Sequence, residues 1–359
     1  MIALLIPAKS EGRERFVTRL NRYRTEGTSA HDSFLIGEAG KRQTYSGEHG
    51  LFELVAVDDF DFDGDVVAVD PARGTAERLI RAGSRHNTFL ATERCDQLCV
   101  MCSQPPKKTH IDRFAEFTQA ALLAPDGETI GISGGEPTLY KEELFTLIET
   151  VGTARPDLSF HVLSNGQHFD ESDRLRLGAT CFASLTWGIP LYSHVPERHD
   201  AIVKKTGAFD RLMESFRHLL ASGSKVELRT VLLQDNANDL PALARFVTAH
   251  LGFVVQWSIM QLENIGFAKN RFSDLYVDHT QDDTRLYEAL DIAELFGVSA
   301  KLFNFPRCTI DERFRRYAVA SISDWKRKYP PACNGCREQS HCSGFFEWHP
   351  DSLLEVSPL

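Results

Sequence analysis

The chain has 359 residues, 42% of them hydrophobic and 25% charged, with a formal net charge of −10. This composition is ordinary for a soluble globular protein, and the length allows a large core plus one or two smaller modules. The acidic balance disfavours binding along a nucleic-acid backbone, and no apolar stretch reaches the length of a secretory signal or a membrane span, so a cytoplasmic location is expected.

In residues 1–85, short apolar runs (1–6, 34–36, 51–57 and 66–69) alternate with Gly- and Asp-rich turns. They read as a small β-rich N-terminal domain. The acidic run 58–65 lacks the full calcium-loop pattern and reads as a solvated turn. From about residue 86 to 300 a strand–helix rhythm takes over. Strands are expected at 88–91, 129–133, 159–164, 184–189, 226–233 and 254–260. A helix is expected over 111–123, capped by Thr109, with Ile111, Phe114, Ala115, Ala121 and Leu122 on one face. Further helices are expected over 141–153, 171–177, 209–221 and 240–251. Six strands, each followed by a crossover, argue for a parallel α/β array, either a doubly wound sheet or a full or partial barrel. Residues 279–303 add one more helix–strand unit. Residues 301–359 lose the periodicity and are rich in Cys, Pro, Gly and aromatics, a composition that needs a staple to fold.

The eight cysteines are clustered, which favours metal ligation over disulfides in a cytosolic-looking chain. Cys95, Cys99 and Cys102 follow the first α/β strand, where ligands gather in such folds. If the loop curls with near-helical pitch, offsets of i, i+4 and i+7 point the three thiols one way. Three thiolates suit a [4Fe–4S] cluster and leave one iron open, the mark of a catalytic rather than a structural site. The alternatives are three buried thiols packed as small hydrophobes, or zinc, which usually takes C-x2-C pairs and a fourth ligand. Cys308, Cys333, Cys336 and Cys342 would fill the coordination of a second [4Fe–4S] cluster, with a four-cysteine zinc site as the alternative. Cys181 reads as a core thiol, and as the odd ligand if Cys308 is not one.

Other candidates follow the strands. Ser133-Gly-Gly-Glu-Pro137 after the second strand lets backbone approach a ligand with no Cβ in the way. Leu163-Ser-Asn-Gly166 ends the third strand, where a plain turn is the bland reading. Arg229 lies within a buried-looking strand and needs an acidic partner. His199 and Asp200 read as a helix-capping pair that orders a loop. Glu263 and Asn264 follow the sixth strand and face either substrate or a loop.

The C-x3-C-x2-C motif at Cys95, Cys99 and Cys102 resembles the signature loop of the radical S-adenosylmethionine (SAM) superfamily, with Met101 where an aromatic usually contacts adenine. The resemblance implies reductive cleavage of SAM to a 5′-deoxyadenosyl radical. It places the SAM amino group at Gly134, Gly135 and Glu136, with Pro137, and the ribose and carboxylate near Ser164, Asn165 and Arg229. The cysteine tail resembles a shortened SPASM/twitch auxiliary-cluster segment with one cluster, because Phe346 stands where a further ligand would be. Met101-Cys-Ser-Gln-Pro-Pro-Lys107, Pro190-Leu-Tyr-Ser193, Gly207-Ala-Phe209, Val226-Glu-Leu-Arg229, Ser321-Ile-Ser-Asp-Trp325 and Cys342-Ser-Gly-Phe-Phe346 are together similar to the His-Xaa-Ser-system maturases of the HxsC type.

This implies a partial (β/α)6 radical SAM barrel over 86–300, between the β-rich domain 1–85 and an auxiliary iron–sulfur segment 301–359. It also implies a ribosomally made precursor peptide as substrate. A second radical SAM protein and a flavodoxin- or ferredoxin-type reductant would be partners. The alternatives are a radical SAM enzyme acting on a small metabolite, a protein side chain or RNA, and a non-catalytic iron–sulfur scaffold.

Overall fold

The computed structural model describes residues 4–24, 29–56, 61–354 and 356–359. Residues 58–60 of the acidic run, and 1–3 of the first apolar run, lie outside the described residues.

The chain divides into two compact units, Met1–Ala91 with Ile111–Ser133 and Tyr140–His161, and Thr92–His110 with Gly134–Leu139 and Val162–Leu359. The first unit contains a closed seven-stranded barrel. Its strands are β1 (Leu5–Ser10), β2 (Phe16–Asn21), β3 (Asp32–Ala39), β4 (Arg42–Gly47), β5 (Gly50–Val55), β6 (Val66–Asp70) and β7 (Thr75–Ile80). They run in the order β1-β5-β4-β3-β2-β6-β7, and β1 closes on β7. All pairs are antiparallel except β2 with β3. Alternation fills the interior with Leu20, Leu54, Phe52, Val67 and Val69 around Tyr45. Closure removes the exposed edges that an open sheet of this size would carry.

The helix Phe114–Leu122 belongs to the same unit and starts later than expected. Ile111 is exposed, Thr109 is no cap, and Asp112 accepts from Phe114 N (3.0 Å). The buried face is Phe114, Phe117, Ala120 and Ala121, with Phe117 stacked on Phe89 at 4.7 Å. Two aromatics in register outweigh the weaker stripe through Ile111 and Leu122.

The α/β array has the six expected strands and a seventh from the 279–303 unit. They are β8 (Asn87–Thr92), β9 (Thr129–Gly134), β10 (Ser159–Leu163), β11 (Leu185–Pro190), β12 (Lys225–Val231), β13 (Gln256–Met260) and β14 (Ala300–Phe303). Their order across the sheet, β14-β13-β12-β11-β10-β9-β8, is chain order throughout, and β11 to β14 pair in parallel. Each of β11, β12 and β13 is therefore followed by a crossover, which places the loops after these strands at one end of their part of the sheet. After β14 come short 3₁₀ turns and a two-residue ribbon, Arg327–Lys328 with Phe345–Phe346. Among the described residues no helix is long and apolar enough to cross a membrane.

Candidate functional site

The loop after β8 carries Cys95, Cys99 and Cys102. It is not helical; only Cys102 N to Cys99 O (3.1 Å) makes a turn. Its shape is imposed from outside. Leu98 N and Val100 N donate to Val203 O (3.2 Å) and Ile202 O (2.9 Å), at the end of the helix Pro196–Val203. Phe267 N donates to Cys102 O (2.9 Å). A loop held by remote backbone partners keeps the spacing of its thiols without any local helical pitch.

The paired glycines press on the same loop. Gly135 N donates to Thr92 O (2.8 Å) and Glu136 N to Arg94 O (2.7 Å). A Cβ at Gly134 would lie 2.3 Å from Thr92 O, and one at Gly135 2.1 Å from Arg94 O. What these glycines admit is the backbone of the cysteine loop. Gly266 does the same from the other side: its φ is +60°, and a Cβ there would lie 2.2 Å from Cys102 O.

Glu136 is fully buried, and its carboxylate turns inward. It accepts from Thr138 N (2.8 Å), Thr138 Oγ1 (2.5 Å), Ser164 Oγ (2.9 Å) and Asn165 N (2.5 Å). Burial pushes the carboxyl up, and the four donors work against that shift by favouring the ionised form. Glu136 thus fixes the segment after β10 that holds Ser164 and Asn165. Pro137 is buried at the start of a short turn.

Asn165 then reaches back to the cysteine loop, with Nδ2 donating to Asp96 Oδ1 (2.7 Å). Asp96 also pairs with Lys205 and with His168 Nε2 (3.3 Å). Burial alone would raise the Asp96 carboxyl, but His168, Lys205 and Asn165 together hold it well below the usual range. This anchor was not legible in the sequence. Its one signal is an acid between two cysteines, which on its own reads as a solvated charge.

Arg229, on β12, finds its acid two residues away on the same face. Nη1 donates to Glu227 Oε1 (3.0 Å) and Oε2 (3.2 Å), and Ser258 Oγ donates to Glu227 Oε1 (2.5 Å). Glu227 is 5% exposed. Tyr192 packs against the same apolar cluster as Cys99, and burial, with the Cys99 thiol adding to it, holds the phenol well above its usual range.

His199 and Asp200 act as ordering residues. Asp200 accepts from Gly207 N (2.5 Å) and Phe209 N (2.9 Å) at the start of the helix Ala208–Ala221. His199 Nδ1 takes the N–H of Tyr192 (3.3 Å), and burial pulls the imidazole down to about 4. An unfolded histidine titrates near 6.5. Between these values the unfolded chain binds the extra proton, so stability rises with pH. Going from pH 7 to pH 5 should remove roughly 2 kcal/mol at this site. Denaturant titrations at both pH values check this, with a smaller pH difference expected for His199→Phe.

Burial raises the thiols of Cys95 and Cys99 to about 12, and the neighbouring thiols push the same way; burial raises Cys102 as well. Three thiolates are the donor set an iron–sulfur cluster takes, and a cluster bound here would supply the positive charge that holds the thiols ionised. Gln97 N donates to Cys95 Sγ (3.4 Å) and adds to the fit. The second group is consistent with the same chemistry. One cavity is lined by Cys308, Cys333, Cys336 and Cys342 together. Arg307 N and Gly344 N point at Cys342 Sγ (3.3 and 3.4 Å), and Leu359 N at Cys336 Sγ (3.5 Å). Burial raises Cys308 and Cys333, and the other thiols of the group add to it. Cys181 stands in a short turn before β11, partly buried. Glu263 is raised by burial and lies 3.8 Å from Lys326, while Asn264 Oδ1 is buried without a hydrogen-bond partner.

Residues 89–247 match the Radical SAM superfamily model. The chain is 26% identical over 223 residues to an Fe-coproporphyrin III synthase of Methanosarcina barkeri, covering 58% of this chain and 53% of that protein. It is 25% identical over 215 residues to a GTP 3′,8-cyclase of Rhizobium etli, covering 51% and 55%. The chain thus spans about half the length of the curated relatives it matches. Among solved structures, SuiB of Streptococcus suis bound to S-adenosylmethionine aligns with TM-score 0.49 and 13% identity, over 60% of this chain and 49% of that one. The superfamily implies a [4Fe–4S] cluster and SAM. The matched region opens on β8 and takes in the three-cysteine loop, so this part of the chain is similar to the radical SAM enzymes.

Proposed function

We propose that the chain is a peptide maturase of the His-Xaa-Ser type. Cys95, Cys99 and Cys102 hold the SAM-binding cluster, and Cys308, Cys333, Cys336 and Cys342 hold one auxiliary cluster in the segment 301–359. The observation that carries the radical chemistry is one loop of three partly buried thiols, held by remote backbone partners and braced by glycine backbone on two sides. A [4Fe–4S] cluster held by Cys95, Cys99 and Cys102 would supply the electron for reductive cleavage of SAM, the chemistry that starts hydrogen abstraction from the substrate. The chain's own residues do the positioning. Gly134, Gly135 and the neighbouring carbonyls offer acceptors for the SAM ammonium group. Ser164 and Asn165, fixed by Glu136, stand for the ribose and carboxylate. Arg229 keeps one guanidinium edge on Glu227 and offers the other to the carboxylate. The peptide substrate is supported by the sequence strings shared with the His-Xaa-Ser maturases.

A second reading, a radical SAM enzyme acting on a small molecule, is favoured by the two curated relatives, one named for Fe-coproporphyrin III and one for GTP. One experiment separates them. The chain is reconstituted anaerobically with iron and sulfide, reduced with dithionite in the presence of SAM, and assayed for 5′-deoxyadenosine. It is also co-expressed with a precursor peptide carrying His-Xaa-Ser repeats. The maturase reading expects about eight irons per chain, 5′-deoxyadenosine, and a mass change in the peptide. Cleavage of SAM with an unchanged peptide mass would move the small-molecule reading to the front.

A further inference from the structure

The first unit brings two histidines and a glutamate together at one end of its barrel, far in sequence from every cysteine. His31 lies in the turn that opens β3. Glu48 and His49 form the two-residue turn of the β4–β5 hairpin, between the paired Gly47 and Gly50. One ligand atom from each side chain can be chosen so that all three lie within 4.8 Å of one another. His31 Nδ1 is 3.3 Å from Glu48 Oε2.

The backbone holds these two turns together without help from the three side chains. β3 pairs with β4 from Phe34 opposite Ser46. Gly47 sits so close to the start of β3 that a Cβ would meet Ser33 Oγ at 2.3 Å and Asp32 O at 3.0 Å. His31 O accepts from Thr18 Oγ1 (2.8 Å) and Arg19 N (3.2 Å). Asp32 fixes the turn through Ser29 N (2.7 Å) and Arg19 Nε (2.8 Å). The His49 ring is stacked on Phe16 at 4.3 Å between centroids, which sets its plane. His49 Nε2 is shielded from solvent and has no hydrogen-bond partner, an arrangement that costs stability unless something else satisfies it. A preformed site on rigid strand ends loses little entropy when an ion arrives.

We propose that His31, Glu48 and His49 bind one divalent transition-metal ion, with zinc the best match. Two imidazoles and one carboxylate form a donor set suited to zinc, with the remaining position open to water. The side chains of His31 and Glu48 are about half exposed, so the ion exchanges with solvent and the site is occupied in proportion to free metal. Bound metal links the turn before β3 to the β4–β5 hairpin and stabilises the barrel by mass action.

The test uses the untagged full chain with its cysteines already loaded with iron and sulfide, so that thiols do not compete. Zn²⁺ is titrated against a chromophoric chelator for wild type, His31→Ala, Glu48→Gln and His49→Phe. The last substitution keeps a ring over Phe16 and removes the ligand. Wild type should bind one more zinc per chain than the histidine variants, or bind it at least tenfold more tightly. Its melting temperature should rise with zinc while theirs does not. Equal zinc stoichiometry and affinity in wild type and His31→Ala, whose exposed side chain leaves the fold intact, would overturn the site. So would a zinc-dependent rise in melting temperature that survives in both histidine variants.

Discussion

Replacing Cys95, Cys99 and Cys102 together by alanine should abolish 5′-deoxyadenosine formation and lower bound iron from about eight to about four per chain. The three thiols lie on one loop, and burial keeps each from ionising on its own. On the proposed reading one cluster takes all three, so removing them leaves no sulfur with which to hold it. On the proposed two-cluster reading the remaining iron is held by the second group, whose four cysteines line one cavity. The complementary variant, Cys308/Cys333/Cys336/Cys342→Ala, should also keep about four irons and should still cleave some SAM if it folds. Cys181→Ser should change neither count. Iron analysis and chromatography of 5′-deoxyadenosine read both effects. A triple variant that still carries about eight irons, or still cleaves SAM at the wild-type rate, would remove the loop from the chemistry.

Much of this arrangement is legible in the sequence, and the limits have physical causes. The six strands of the α/β array stand out because each carries apolar residues in a short segment bounded by turns and followed by a helical pattern, even where charged residues interrupt it as in β12 (KVELRTV). In the N-terminal barrel only the apolar strands do. β2 (FVTRLN), β4 (RQTYSG) and β7 (TAERLI) alternate charged or polar residues with apolar ones, so their apolar content alone does not mark them. Barrel closure is a register property that no single run carries. At the site, spacing identifies the cysteines and the glycine pair, yet the partners that hold them come from remote segments. Asp96 depends on Asn165, His168 and Lys205, and Arg229 on a glutamate that resembles any charged strand residue. Glu136 illustrates the point most sharply: its place in a motif suggests a ligand contact, and the four internal donors that its carboxylate also accepts from are invisible in the motif.

The glycine pair leads to the second large effect. Gly135→Ala should lower bound iron to about four per chain and cut SAM cleavage at least about tenfold, with the auxiliary iron retained. The new Cβ would lie 2.1 Å from Arg94 O, 2.5 Å from Arg94 C and 3.0 Å from Cys95 N, all backbone atoms. No side-chain rotation relieves such a contact, so either the segment after β9 or the cysteine loop itself must shift. Both ends of the contact are pinned, by Gly135 N to Thr92 O and Glu136 N to Arg94 O on one side and by Asn165 to Asp96 on the other. Overpacking a well-filled site costs about 1–3 kcal/mol even where side chains can adjust. Here the displacement falls on Cys95, whose thiol must stay in register with two others. Gly252→Ala is the control, because a Cβ there would meet only Thr248 O at an ordinary 3.6 Å. It should keep both the iron and the rate. If Gly135→Ala matched Gly252→Ala in iron content and SAM cleavage, the close approach of these two backbones would not be what holds the cysteine loop in its active shape.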